Sequence, residues 1–138
     1  MKGVTPQKKP TDDILLVHAM LLMAGADGAI DDEEIATVEA FANTLAEFKD
    51  KNFGELIEGA RKMLKRYNSL KESVAALGEF STPAMGLKAY VLAADIALSS
   101  GDVDENEDEL LETMQRLCNV DDRSAQTIIW VLQQKYAT

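Results

Sequence analysis

The stretch GADGAIDDEE, residues 25–34, predicts a corner between two helices. Apolar residues at helical spacing lead into it through LLVHAMLLMA and leave it through IATVEAFA. Gly28 suits the left-handed residue that ends a helix, and Asp31 with Glu34 has the N-cap-to-N3 spacing of a capping box. The letters DGAIDDEE also fit the second half of a calcium-binding EF-hand loop. The same carboxylates are therefore candidates for helix caps and for metal ligands.

The corner recurs further along the chain. A shift of 73 residues aligns identical or chemically similar residues: Gly28 with Gly101, Ile30 with Val103, Asp31 with Asp104, and Glu34 with Glu107. The helix after each corner is followed by another at equal distance, so the sequence predicts two related three-helix repeats, about residues 12–66 and 83–136, joined by a linking helix. Residues 1–11 are expected to be flexible.

The predicted fold is all-α, because apolar residues recur at three- and four-residue spacing and alternating β-branched runs are absent. Helix starts are marked by residues that favour N-caps: Thr11 or Asp12, Asp31, Asn52, Ser69, Thr82 before Pro83, Asp104, and Asp121. We expect a single compact bundle of about seven helices, in which the two repeats bury their apolar faces against each other with pseudo-two-fold symmetry.

The charge balance restricts the partners. With 24 Asp and Glu against 14 Lys and Arg, the net charge is −10, which disfavours nucleic acid and anionic membrane surfaces. Basic residues concentrate between positions 49 and 66, where they predict either a cationic docking patch or a solvated helix face. The apolar runs are too short to cross a bilayer and the N-terminus lacks a signal core, so we expect a cytoplasmic protein without direct membrane insertion.

Two aspartates lack an obvious structural role in the sequence. Asp27 falls at the C-terminal end of a helix, where the helix dipole disfavours an anion. Asp95 is the single charge within VLAADIALSS, and a buried carboxylate needs a partner. That partner is either a Lys or Arg, solvent, or a bound cation.

The ligand types point to a hard cation. With one His and one Cys in the chain, zinc and copper lack their usual ligands, which leaves calcium, magnesium or manganese held by oxygen. His18 lies in an apolar run and is expected to be a hydrogen-bonded core residue rather than a ligand, and Cys118 a buried thiol.

A complete EF-hand is absent from both corners. The first corner has Met23 and Gly25 where acidic ligands are required, and a frame starting at Asp102 has Glu107 at the turn glycine and Thr113 at the closing glutamate. The two corners would therefore have to cooperate or use water.

AGADGAIDDEE and its repeat ALSSGDVDENE resemble the TerB family of bacterial tellurite-resistance proteins over roughly residues 12–136. The resemblance implies a two-repeat helical bundle, acidic corner residues that bind divalent metal, and a role in membrane-associated stress complexes. The residues that match the family motifs are Asp27, Gly28, Glu34, Gly101 and Glu107. Ser100 stands where the family usually has a second aspartate, so a symmetric site requires Asp102 or Asp95 as a substitute.

The leading hypothesis is a non-enzymatic metal-binding or metal-sensing module of stress resistance. Its candidate metal ligands are Asp27, Asp31, Glu34, Asp95, Asp102, Asp104 and Glu107. The alternative is a protein-interaction scaffold whose acidic corners are only helix caps. Expected partners are other stress-resistance proteins, membrane-associated ones included, and a homodimer is left open. A metal-dependent phosphoesterase is disfavoured, because no Ser/His or Cys/His pairing or phosphate loop supports it.

Overall fold

The computed structural model describes residues 10–26 and 30–138. Within these ranges the chain forms seven α-helices, two short 3₁₀-helices and no strand, which confirms the predicted all-α class. The helices are α1 (Asp12–Ala24), α2 (Asp32–Ala42), α3 (Phe53–Arg66), α4 (Leu70–Ala75), α5 (Pro83–Ser99), α6 (Glu105–Leu117) and α7 (Asp122–Lys135), with 3₁₀-helices at Ala46–Phe48 and Ala76–Glu79.

Each helix begins where its cap predicts. The N-cap residues are Thr11, Asp31, Asn52, Ser69, Thr82, Asp104 and Asp121. Six of these side chains accept a hydrogen bond from a backbone N–H of the first helical turn, a donor that would otherwise lack an intrahelical partner. Thr11 differs, since its hydroxyl donates to the carboxylate of Asp13 instead. The helix starts are thus fixed by bonds within a few residues.

The core is built around α1 and α5, which pack against each other. Every residue of α1 from Leu15 to Met23 is buried, the pattern expected of a helix enclosed on all sides. In the first half α1 also contacts α2 and α3, while in the second half α5 contacts α6 and α7. The division into two repeats and their pseudo-two-fold symmetry stay predictions. α4 and the following 3₁₀-helix pack against α6.

The next two findings concern the N-terminal segment and membrane-spanning helices. Most of the segment expected to be flexible, residues 1–9, lies outside the described residues. In the ranges 10–26 and 30–138, no helix is both long enough and apolar enough to cross a bilayer.

Candidate functional site

The first corner joins α1 to α2. After Ala24 the backbone N–H of Gly25 donates to the carbonyl of Leu21 at 2.9 Å, and that of Ala26 donates to Met23 at 3.3 Å, which closes the end of α1. Asp27 and Gly28 lie outside the described residues. The ligand role of Asp27 and the left-handed conformation of Gly28 therefore stay predictions.

The described residues resume at Ile30, just before α2, and the predicted capping box forms at the start of that helix. Asp31 Oδ1 accepts from the backbone N–H groups of Glu33 at 3.0 Å and Glu34 at 3.1 Å. In return Glu34 Oε2 accepts from the backbone N–H of Asp31 at 3.0 Å. The two carboxylates are held together at the start of α2, where the positive end of the helix dipole favours negative charge.

The second corner, between α5 and α6, repeats this arrangement. Asp104 Oδ1 accepts from the backbone N–H of Glu107 at 2.8 Å, and Glu107 Oε1 accepts from the backbone N–H of Asp104 at 3.1 Å. Gly101 has a φ of +103°, a conformation that L side chains rarely adopt, so the glycine is required by the backbone here. Asp102 is exposed between Gly101 and the box.

A carboxylate that caps a helix can still accept further bonds. Each ionised carboxyl has two oxygens and about four lone-pair sites, and the bonds named above engage Oδ1 of the N-cap residues Asp31 and Asp104. The structure brings Asp31 together with Glu34, and Asp104 with Glu107. Among the residues it describes, no three His, Cys, Asp or Glu form a group that could hold a metal ion. A cation at either corner would thus need Asp27, backbone carbonyls or water to complete its six to eight oxygen ligands.

Asp95 has protein partners. Lys135 Nζ lies 3.0 Å from Oδ2 and 3.2 Å from Oδ1, and the hydroxyl of Tyr136 donates to Oδ1. The bond to Asp95, followed by the contact with Tyr136, raises the pKa of Lys135. The ion-pair alternative for Asp95 is therefore realised, and the pair ties the C-terminal end of α7 to α5. Its role as a metal ligand stays a prediction.

His18 is a core residue, as predicted. Its ring is fully buried, and Nε2 donates to the carbonyl of Ser73 at 2.7 Å, which links α1 to α4. Burial lowers the pKa of His18, and the bond to Ser73 opposes this to a smaller extent. Cys118 is buried as well, and desolvation raises the pKa of its thiol to about 11. Neither side chain is available to an ion at the corners.

The basic segment stays a candidate surface. Lys51 forms an ion pair with Asp13, and the remaining cations of the predicted patch are exposed: Lys49, Arg61, Lys62, Lys65 and Arg66.

Two grooves were missed by the sequence reasoning. An apolar groove of about 670 Å³ lies beside the first corner, between α3, α4 and α6, with Leu22, Leu70 and Leu110 among its walls. A more polar groove of about 520 Å³ lies between α5, α6 and α7. Both grooves have large apolar residues at outward-facing helix positions, and such residues are the sequence signal that could have revealed them. Leu70 is 68% exposed beside the first groove, and Trp130 is 60% exposed beside the second.

A match to a known protein family agrees with the resemblance that the corner motifs carry. A family model described as "Tellurite resistance protein TerB" matches residues 13–128, which include both corners. No curated protein and no solved structure matches the chain.

Proposed function

We propose that this chain, which belongs to the TerB family of tellurite resistance proteins, binds a divalent cation at its acidic corners as a metal-binding or metal-sensing module of a chemical-stress resistance system. The observation that carries the proposal is the repetition of one arrangement. Both corners begin a helix with a reciprocal Asp–Glu pair, Asp31 with Glu34 and Asp104 with Glu107. A capping box accepts glutamine as well as glutamate at its N3 position, so the box alone does not require two carboxylates at each corner.

The chemistry of these groups fits calcium, magnesium or manganese. All the candidate ligands are carboxylates, which hard cations prefer, and the net charge of −10 attracts cations to the surface. Each box holds its two carboxyl groups in one orientation, so less conformational freedom would be lost when an ion binds. The chain's own groups bind and orient the ion, and we assign no catalytic step to them.

The experiment separates ligands from caps by thermal melts in chelator and in calcium or manganese. Glutamine at the N3 position can still serve a capping box, so Glu34→Gln should keep most of the roughly 1 kcal/mol of capping stability. If the corner binds metal, the wild type gains about 2.7 kcal/mol at a cation concentration one hundred times the dissociation constant, and Glu34→Gln and Asp27→Asn lose most of that gain.

Two further variants serve as controls. Glu33→Gln removes one charge from the first turn of α2 without touching the box, since only the backbone N–H of Glu33 takes part in it. Its cation response should match the wild type. Asp31→Ala should lower the melting temperature in every buffer, because it removes the cap acceptor. A wild-type melting temperature that ignores cations at millimolar concentration would refute metal binding.

The apolar groove favours a second candidate, a protein-interaction scaffold. Its volume of about 670 Å³ and its leucine-rich walls suit an apolar helix face of a partner protein. Leu70 is exposed at the rim of this groove. Leu70→Asp should therefore weaken binding of the partner protein to the groove while leaving both the melting temperature and the cation response unchanged. A complex of unchanged affinity in Leu70→Asp would count against this surface.

A further inference from the structure

The groove between α5, α6 and α7 combines negative charge with an exposed aromatic ring. Three carboxylates line it: Asp108 and Glu112 from α6, and Asp122 at the start of α7. Of the described residues in its lining, none is Lys or Arg. Asp122 accepts a hydrogen bond from Gln115 Nε2 at 2.8 Å, but in the described part of the chain no cation forms an ion pair with any of the three. Their negative charge is therefore available to a ligand.

Tyr90 provides an independent indication that the groove receives a ligand. This residue lines the groove although only 3% of its surface is exposed, and its hydroxyl has no hydrogen-bond partner among the described residues. Burial, and after it the negative charge of Asp108, raises the pKa of Tyr90. Tyr90 and Asp108 both line the groove. Solvent reaches this hydroxyl, because His18 Nδ1 is the only enclosed side-chain atom without a partner among the described residues, and the hydroxyl can therefore donate to a group that enters the groove.

Trp130 supplies the third element. This residue of α7 is 60% exposed, and the adjacent Val131 is 51% exposed, so apolar surface continues from the groove onto the outer face of that helix. The face of an indole attracts Arg and Lys cations, and tryptophan is enriched where proteins bind one another. An aliphatic stem that carries a cationic head matches this surface next to carboxylates.

We propose that the groove binds a basic segment of a partner protein. An Arg or Lys side chain of that segment lies against Trp130, and its cationic head is held by Asp108, Glu112 and Asp122. The hydroxyl of Tyr90 donates to a backbone carbonyl of the segment. A protein segment fits better than a small free cation, because the groove is open to solvent and its apolar surface extends beyond the walls to Val131. The net charge of −10 attracts such a partner from a distance.

The test uses the fluorescence of Trp130, which is the only tryptophan in the chain. The probe is the blocked peptide acetyl-Gly-Leu-Arg-Leu-Arg-Gly-amide, and its neutral counterpart carries glutamine in place of both arginines. Titrations are made in chelator, so the outcome does not depend on metal binding at the corners. The arginine peptide should change the tryptophan emission saturably, and the neutral peptide should bind at least about tenfold more weakly, since it lacks the groups that the carboxylates and the indole attract.

Variants locate the site. Glu112→Gln and Asp108→Asn should each weaken peptide binding several-fold, and Tyr90→Phe should do so through loss of one hydroxyl. The matched control is Glu58→Gln, which removes an exposed carboxylate from α3, outside the groove. Circular dichroism melts in the same buffer verify that each variant is folded, and Trp130→Ala is followed by the anisotropy of a labelled peptide.

Three results would overturn the proposal. The first is equal affinity for the arginine and glutamine peptides. The second is a loss of affinity in Glu58→Gln as large as in Glu112→Gln, because binding would then reflect net charge alone. The third is binding of butylguanidinium as tight as that of the peptide, which would make the groove a small-molecule site.

Discussion

Lowering the pH should destabilise the protein through His18. The ring is fully buried, Nε2 donates to the carbonyl of Ser73 at 2.7 Å, and Nδ1 has no hydrogen-bond partner among the described residues. A proton on Nδ1 would therefore create a buried charge without an acceptor. Burial accordingly lowers the pKa of His18 in the folded protein.

The size of the effect follows from proton linkage. In the unfolded chain the imidazole titrates near its ordinary pKa of about 6.5. Below that pH the unfolded state binds more protons than the folded state, so the stabilisation is present above about pH 6.5 and is lost as the pH falls toward the folded pKa. One proton of difference corresponds to about 1.4 kcal/mol per pH unit, which allows a loss of up to about 2 kcal/mol between pH 7 and pH 5.

The assay is urea denaturation of the wild type and His18→Gln at pH 7, 6 and 5. The glutamine amide can donate to the Ser73 carbonyl but does not titrate, and His18 is the only histidine in the chain. Asp13 and Glu47, whose pKa values are lowered in the fold, lose their stabilisation at more acidic pH and do so in both proteins. Parallel pH dependences of the two free energies of unfolding would refute the reasoning.

Two further predictions concern contacts between helices. Asp95→Asn should cost about 1–2 kcal/mol in chelator, because it removes the ion pair with Lys135 from a carboxylate that is only 15% exposed. Unchanged stability by urea denaturation, with a lost cation response, would instead make Asp95 a ligand. Gly86→Ala should destabilise by up to about 2 kcal/mol despite a helix-propensity gain of about 1 kcal/mol, since the new Cβ would lie 3.3 Å from Cys118 Cβ. The control Gly78→Ala, whose Cβ has only an ordinary 3.8 Å contact, should be neutral or slightly stabilising, and equal losses in both variants would contradict the tight contact at Gly86.

The helix starts and the corners were predictable because the interactions that form them are local. Thr82 caps α5 through the backbone N–H of Met85 at 3.2 Å, and Asp31 and Glu34 bond each other across three residues. Such bonds depend on spacing in the chain, which the sequence displays directly. The same local motif carried the family resemblance, and the match over residues 13–128 confirmed it.

The candidate ligands were only partly assessable from spacing. Sequence reasoning placed Asp31 with Glu34, and Asp104 with Glu107, and the structure confirms both pairs. It left Asp95 between an ion pair, solvent and a cation. The choice depended on α7, which delivers Lys135 from 40 residues away. Periodicity specifies which face of a helix is apolar, but it does not specify which residue of a distant helix meets a given side chain.

By itself, then, the sequence determined the helical class, the positions of the helix starts, the two acidic corners and the family. Tertiary structure alone decided the partner of Asp95, the bond between His18 and Ser73 across 55 residues, and the two grooves. The physical reason is the range of the interactions. Caps and turns are satisfied within one helical turn, whereas a groove exists only where packed helices leave a gap, and that gap depends on the volumes and orientations of side chains far apart in the chain.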